Sequence, residues 1–162
     1  MKIIFLDIDG VLIRFWNTAK IRKTRAEKWT WWIIYDFDED LVLNLKHLVK
    51  ETWAKIVISS SWRHDMDRVK QSFLEANLDY DLVIGKTPGS LWYGRGNEVL
   101  TYVLNNLNES IMFEDVIENF VMIDDDSFDS KCVKRLWKFV HTKTHEWLTI
   151  EKMKEAINIL KR

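Results

Sequence analysis

Residues 2–10 read Lys-Ile-Ile-Phe-Leu-Asp-Ile-Asp-Gly, and this stretch decides the fold. Ile3, Ile4, Phe5 and Leu6 form an apolar run too short for a helix and closed by acids and a glycine, the pattern of a buried strand running into a loop. Comparable runs recur at 55–59, 82–84, 119–123 and 136–140. The segments between them carry apolar residues at helical spacing: Leu41, Leu45, Leu48 and Val49; Met66, Val69 and Phe73; Val99, Leu100, Val103, Leu104 and Leu107; Met153, Ala156, Ile157 and Leu160. Alternating strands and helices predict an α/β chain: a Rossmann-like three-layer sandwich with a mainly parallel sheet of about five strands, covered by helices on both faces. In such a sheet, sites gather outside the carboxyl ends of the strands. Asp7 and Asp9 fall there after the first strand, and Asp124, Asp125 and Asp126 after the fourth.

The length of 162 residues suits one domain spanning 1–162, large enough to bury roughly two thirds of the surface its unfolded chain exposes. With 47% hydrophobic residues and nine Trp, eight Phe and four Tyr, the chain is too apolar to be disordered. Cys132 is the lone cysteine, so an internal disulfide is ruled out and a reducing, cytoplasmic setting is expected. No apolar stretch approaches the ~18 residues of a membrane span, and the N-terminal run is too short for a signal peptide. The formal net charge of −1 names no partner, and the sequence carries no signature of an oligomeric state.

Charge is nonetheless unevenly placed. The 30 residues from Val11 to Asp40 exceed a simple connection, which predicts a small insertion at about 14–35 and no large cap. Residues 14–34 hold Arg14, Lys20, Arg22, Lys23, Arg25 and Lys28 against Glu27, a local charge of +5 that leaves −6 for the rest. Trp16, Trp29, Trp31, Trp32 and Tyr35 are interleaved with them. Cations among aromatics are the pairing that grips single-stranded nucleic acid; a solvated basic face with tryptophans packed on the sheet has the same composition. Further on, 87–96 contains three glycines and the sole proline, Pro88, and reads as a mobile loop before a helix.

The chemistry lies in the acids. Carboxylates at i and i+2 on a buried strand end repel each other unless a cation intervenes. A parallel sheet can bring Asp124 and Asp125 alongside Asp7 and Asp9, making an oxygen-rich site suited to Mg²⁺. Acids at strand ends also cap helices or stay solvated, but two clusters after two apolar strands point to function.

These residues resemble a known family. FLDIDGVL (5–12) resembles the first motif of the haloacid dehalogenase (HAD) superfamily, whose phosphatases read hydrophobic-DxDG. Ile58-Ser59-Ser60-Ser61 resembles the second motif, a hydroxyl that binds the phosphoryl group. Arg95, opening RGNEVLTYVL, resembles the third, where the usual cation is Lys, and FVMIDD (120–125) resembles the acidic fourth. More narrowly, DIDGVL, SSSWR, RGNE and MIDDDS together are similar to the HAD domain of Swiss Army Knife RNA repair proteins.

The resemblance implies a Mg²⁺-dependent phosphatase acting on a phosphorylated substrate, with a polynucleotide end or nucleotide as one class and a small metabolite as the other. Asp7 would be the nucleophile and Asp9 the general acid/base. The metal would lie on Asp7, the Asp9 carbonyl and Asp125, with Asp124 sharing it or standing behind. Ser60 is the expected phosphate-binding hydroxyl, followed by Ser61, with Ser59 as the alternative. Arg95 is the expected cation, with Lys86 as the alternative. Arg63 divides evenly between a phosphate contact and an ion pair with a sheet-end acid. His64 reads as a surface residue, and His141 with His145, lacking HExxH, as a solvated pair. A non-catalytic binding module on the same fold is the competing class. A receiver domain places its phosphorylated Asp after the third strand, and a dehalogenase has no use for the second acid of DxD.

Overall fold

Strand β1 (Lys2–Leu6) occupies the middle of a five-stranded, all-parallel sheet in the computed structural model, which describes residues 1–14, 37–89, 94–109, 116–127 and 130–162. The other strands are β2 (Lys55–Ile58), β3 (Val83–Lys86), β4 (Asn119–Asp124) and β5 (Phe139–His141), in the order β3-β2-β1-β4-β5. Register pairs Leu6 with Ile58 on one side and with Ile123 on the other, so the carboxyl ends of β1, β2 and β4 finish side by side.

Period-two alternation sorts the side chains into two cores. Ile4 and Leu6 face one layer, built from α1 (Glu39–Thr52), α2 (Met66–Glu75) and α6 (Ile150–Lys161) through Leu41, Leu45, Leu48, Val69, Phe73, Met153 and Ala156. Ile3 and Phe5 face the other, where α3 (Arg95–Glu109) and α4 (Lys131–Arg135) contribute Val99 and Val133. Burial on both faces explains the continuous apolar runs of β1, β2 and β4, whereas β3 at the sheet edge leaves Ile84 and Lys86 exposed. The crossover through α3 carries the chain from the β3 edge to the far side of β1, so the direction of winding reverses between β1 and β4. A crevice opens at such a reversal.

Local signals set the helix ends. Asp65 accepts the Arg68 N–H at 3.1 Å at the start of α2, and Thr149 accepts the Lys152 N–H at 3.4 Å at the start of α6. Trp53 ends α1 in the left-handed conformation, φ 57°, its N–H bonded to the Val49 carbonyl.

Several boundaries differ from expectation. The fifth strand was expected at 136–140, but Leu136 closes α4 and Trp137 turns left-handed at φ 58°, so β5 starts at Phe139. The short helices α4 and α5 (Lys143–Glu146) have too few apolar positions to show a period. Leu104 and Leu107 are exposed on α3 despite their helical spacing. Gly96 lies inside α3, so the 87–96 loop ends at Gly94; 90–93 lie outside the described residues.

The insertion expected at about 14–35 falls, beyond Arg14, on residues 15–36, which lie outside the described residues. Its neck is tied by the Asp38 N–H to the Leu12 carbonyl at 3.0 Å and by Arg14, whose guanidinium bonds Asp40 and Asp38. Arg14 thus belongs to a structural ion cluster, rather than to an open basic face. No described helix is long and apolar enough to cross a membrane.

Candidate active site

β1 delivers Asp7 to the centre of the carboxyl edge. Its N–H donates to the Ile123 carbonyl at 3.0 Å, extending the β1–β4 ladder, and its side chain is buried. The chain then folds back on itself, with the Leu12 N–H on the Ile8 carbonyl at 2.9 Å and the Gly10 N–H on the Ile13 carbonyl at 3.1 Å. This turn leaves Asp9 half-buried beyond the carboxyl end of β1. Gly10 has φ 73°, and a Cβ there would collide with the Asp125 carboxylate. The glycine supplies both the left-handed backbone and the space into which Asp125 packs.

Arg95 reaches in from the first turn of α3. Its Nη1 is 3.0 Å from Asp7 Oδ1 and 3.0 Å from Asp124 Oδ2. Asp124 also accepts the Asp126 N–H at 2.8 Å. Asp7, Asp124 and Asp125 each bring one carboxylate oxygen within 4.8 Å of the others. Lys86 lies away from this group, donating to the Arg63 carbonyl at 3.0 Å. Of the two candidate cations, Arg95 is the one placed against Asp7.

The β2 end supplies the hydroxyls. Ser59 continues the sheet through its N–H on the Leu6 carbonyl, and its buried hydroxyl has no hydrogen-bond partner. Ser60 is also buried; its hydroxyl stands beside Asp7 and accepts the Trp62 N–H at 3.3 Å. Ser61 is exposed and opens a 3-10 helix, Ser61–His64. Arg63 forms an ion pair, but with Glu98 of α3 at 3.2 Å instead of a sheet-end acid, and donates to the Ser59 and Ser60 carbonyls at 3.2 and 3.1 Å. Its guanidinium is therefore turned to holding the serine turn. His64 and Lys86 line a separate cavity of about 370 Å³ with Asn105 and Asn106, outside the acidic group.

A family model described as the HAD domain in Swiss Army Knife RNA repair proteins matches residues 3–153. The chain belongs to this family. No curated protein and no solved structure matches it. At the coarse level, membership supports a phosphohydrolase of HAD type.

Electrostatics in this HAD domain is dominated by burial. Burial raises the Asp7 pKa, and the neighbouring Asp124 carboxylate raises it further, against the opposing pull of Arg95. Burial likewise raises Asp124 and Asp125, again opposed by Arg95. Three carboxylates face one guanidinium, so full ionisation leaves two uncompensated negative charges in a water-poor crevice. Neither Asp7 oxygen receives an aligned hydrogen bond, although both are buried. An all-oxygen donor set of that charge fits a hard divalent cation such as Mg²⁺, which HAD domains typically use.

Three contacts were not anticipated. The Trp62 indole donates to Asp9 Oδ2 at 2.9 Å, the Thr142 hydroxyl donates to the Gly10 carbonyl at 3.1 Å, and Glu98 holds Arg63. Trp62 and Arg63 directly follow the serines and Glu98 lies one turn after Arg95, so adjacency to the motifs was the available signal. Thr142 offered none. His141, expected in a solvated pair, instead sits in β5 with Nε2 2.9 Å from the Asp125 carbonyl; the His145 side chain lies outside the described residues.

Proposed function

We propose that this HAD domain hydrolyses phosphomonoesters through an aspartyl-phosphate intermediate, on nucleic-acid ends or nucleotides. The observation that carries the reading is Arg95 bridging the buried Asp7 and Asp124, with Asp9 half-buried two residues on. An acid this buried, with Arg95 against it, is placed to attack phosphorus, while the half-exposed one can exchange protons with substrate and water.

Asp7 attacks the phosphoryl group as Asp9 protonates the departing ester oxygen. Asp9 then takes a proton from water, which attacks the phosphorus of the aspartyl phosphate and frees Asp7 and inorganic phosphate. Ser60 and Ser61 bind phosphoryl oxygens, and Arg95 balances the charge of nucleophile and phosphate. Asp7, the Asp9 carbonyl and Asp125, with Asp124 beside them, would hold Mg²⁺, which would supply further neutralisation of the phosphoryl charge.

Support for a nucleic-acid substrate comes from the family's RNA-repair context and from Lys20, Arg22, Lys23, Arg25 and Lys28 among Trp29, Trp31 and Trp32 in the insertion. With Arg14 engaged by Asp38 and Asp40, these five cations carry that argument alone. A panel of 3′- and 5′-phosphorylated oligonucleotides, nucleotides, sugar phosphates, phosphopeptides and a small aryl phosphate tests it. Oligonucleotide ends should be preferred, with activity falling steeply as salt rises, and Lys20→Glu/Arg22→Glu/Lys23→Glu should harm that activity far more than aryl phosphate hydrolysis. Equal loss on both, or a preference for sugar phosphates, would assign the domain to small metabolites. No turnover of any phosphomonoester, with metal supplied, would favour a binding module.

A further inference from the structure

Trp62 stands where the reaction needs control. It is buried at 5% exposure in the 3-10 helix after the serines, and its Nε1–H points at Asp9 Oδ2, 2.9 Å away. Two contacts hold the ring, the Phe37 ring at 6.1 Å between centroids and the Arg68 guanidinium 3.4 Å from the ring centroid, and the Trp62 backbone N–H is fixed on the Ser60 hydroxyl. A side chain clamped on this scale has one rotamer, so its N–H has one direction.

We infer that Trp62 is a positioning residue for proton transfer, holding Asp9 by Oδ2 so that Oδ1 is the oxygen that delivers and receives the proton. Indole nitrogen is a donor only and does not titrate in the working range. It therefore cannot compete for the transferred proton, as a histidine or carboxylate in its place would. It also occupies Oδ2 through both half-reactions. In the first, the bond from Asp7 to phosphorus forms, the ester P–O bond breaks, and the leaving oxygen takes the proton from Asp9 Oδ1. In the second, attacking water gives its proton to the same Oδ1 as the aspartyl phosphate is cleaved. Oδ1 makes no protein hydrogen bond among the described residues, which leaves it open to substrate and water. The Arg68 guanidinium stacked on the indole face adds a cation–π attraction that holds the ring in place. Arg68 thereby joins the device from one turn of α2 away.

The inference rests on the phosphatase reading, and the experiment separates the two. Wild type and Trp62→Phe are compared on an alkyl phosphate, whose leaving oxygen needs a proton, and on dinitrophenyl phosphate, whose leaving group does not. In each case kcat/KM reports the step up to cleavage of the ester bond. General acid assistance is typically worth about 10²–10⁴-fold. The variant should lose at least tenfold more on the alkyl ester than on the activated one, with KM little changed. Equal losses on the two esters would mean that Trp62 is only a packing residue, overturning the inference. Wild type inactive on both would instead count against the phosphatase reading. An independent measurement uses metal-free protein: the Trp62 indole N–H resonance, identified by its loss in Trp62→Phe, should exchange slowly with solvent and move on Asp9→Asn. A resonance that stays put on that substitution would overturn the contact itself.

Discussion

At the scale of single residues, the site is destabilised in the way function requires. Asp7, Asp124 and Asp125 are all shifted upward by burial, so the folded metal-free protein binds more protons than the unfolded chain at pH values above the ordinary aspartate pKa of 3.8. Stability of the metal-free form should therefore fall as pH rises from that value toward neutrality, the sign given by linkage. Removing the charge with Asp7→Asn should raise the neutral-pH melting temperature of metal-free protein by roughly 2–4 °C for each 1 kcal/mol relieved, while abolishing turnover. Thermal melts with chelator at pH 5 and pH 7.5 check both statements; a lower melting temperature for Asp7→Asn at pH 7.5 would contradict them. Gly10 has a sharper role than its motif position suggests, because it is open both for φ 73° and for the Asp125 carboxylate. Gly10→Ala should cost roughly 1–3 kcal/mol from backbone strain and displace Asp125. Its Mg²⁺ affinity, measured by calorimetry, is expected to drop at least tenfold; unchanged affinity would show that Asp125 needs no such approach.

At the scale of elements, the serine turn after β2 is held from α3. Arg63 spans them, pairing with the buried Glu98 while its Nη1 fastens the Ser59 and Ser60 carbonyls, and Thr87 after β3 bonds the other Glu98 oxygen at 3.4 Å. Three carboxyl-end segments are joined through one ion pair. Removing one member of a buried pair strands the other charge, at a cost of about 3–5 kcal/mol. Arg63→Met should therefore lose stability on that order in urea unfolding and, on the proposed function, raise KM through a loosened serine turn. The double variant Arg63→Met/Glu98→Gln should recover part of the stability. A single variant within about 0.5 kcal/mol of wild type would show that the pair is solvated and the turn holds itself.

At the scale of the whole molecule, the acid-rich crevice gathers three carboxylates against the Arg95 guanidinium. The crevice needs a cation to be comfortable at neutral pH, so Mg²⁺ should stabilise the native state by mass action, by about 2.7 kcal/mol at a hundred times its dissociation constant. Chelation should end turnover and lower the melting temperature, Mg²⁺ should restore both, and Asp125→Ala should blunt the shift. Full activity after exhaustive chelation would remove the metal from the proposal.

How much of this was legible in the sequence differs by feature, for physical reasons. A parallel sheet buried on both faces leaves uninterrupted apolar runs, so β1, β2 and β4, the long helices and the positions of Asp7, Asp9, Asp124 and Asp125 at strand ends could be read directly; the edge strand β3, expected at 82–84, runs over Val83–Lys86 because Leu82 closes a 3-10 helix. The fifth strand was displaced because Leu136 and Trp137 are apolar yet serve to end a helix, and composition cannot tell a capping aromatic from a strand residue. The motif order indicated a cation for Asp7 but left Arg95 beside Lys86; only strand order and helix orientation put one guanidinium 3.0 Å from both Asp7 and Asp124. The bond from Trp62 to Asp9 joins residues 53 apart. Local sequence determines which side chains can donate or accept, whereas the packing of β1 against β2 determines which of them meet.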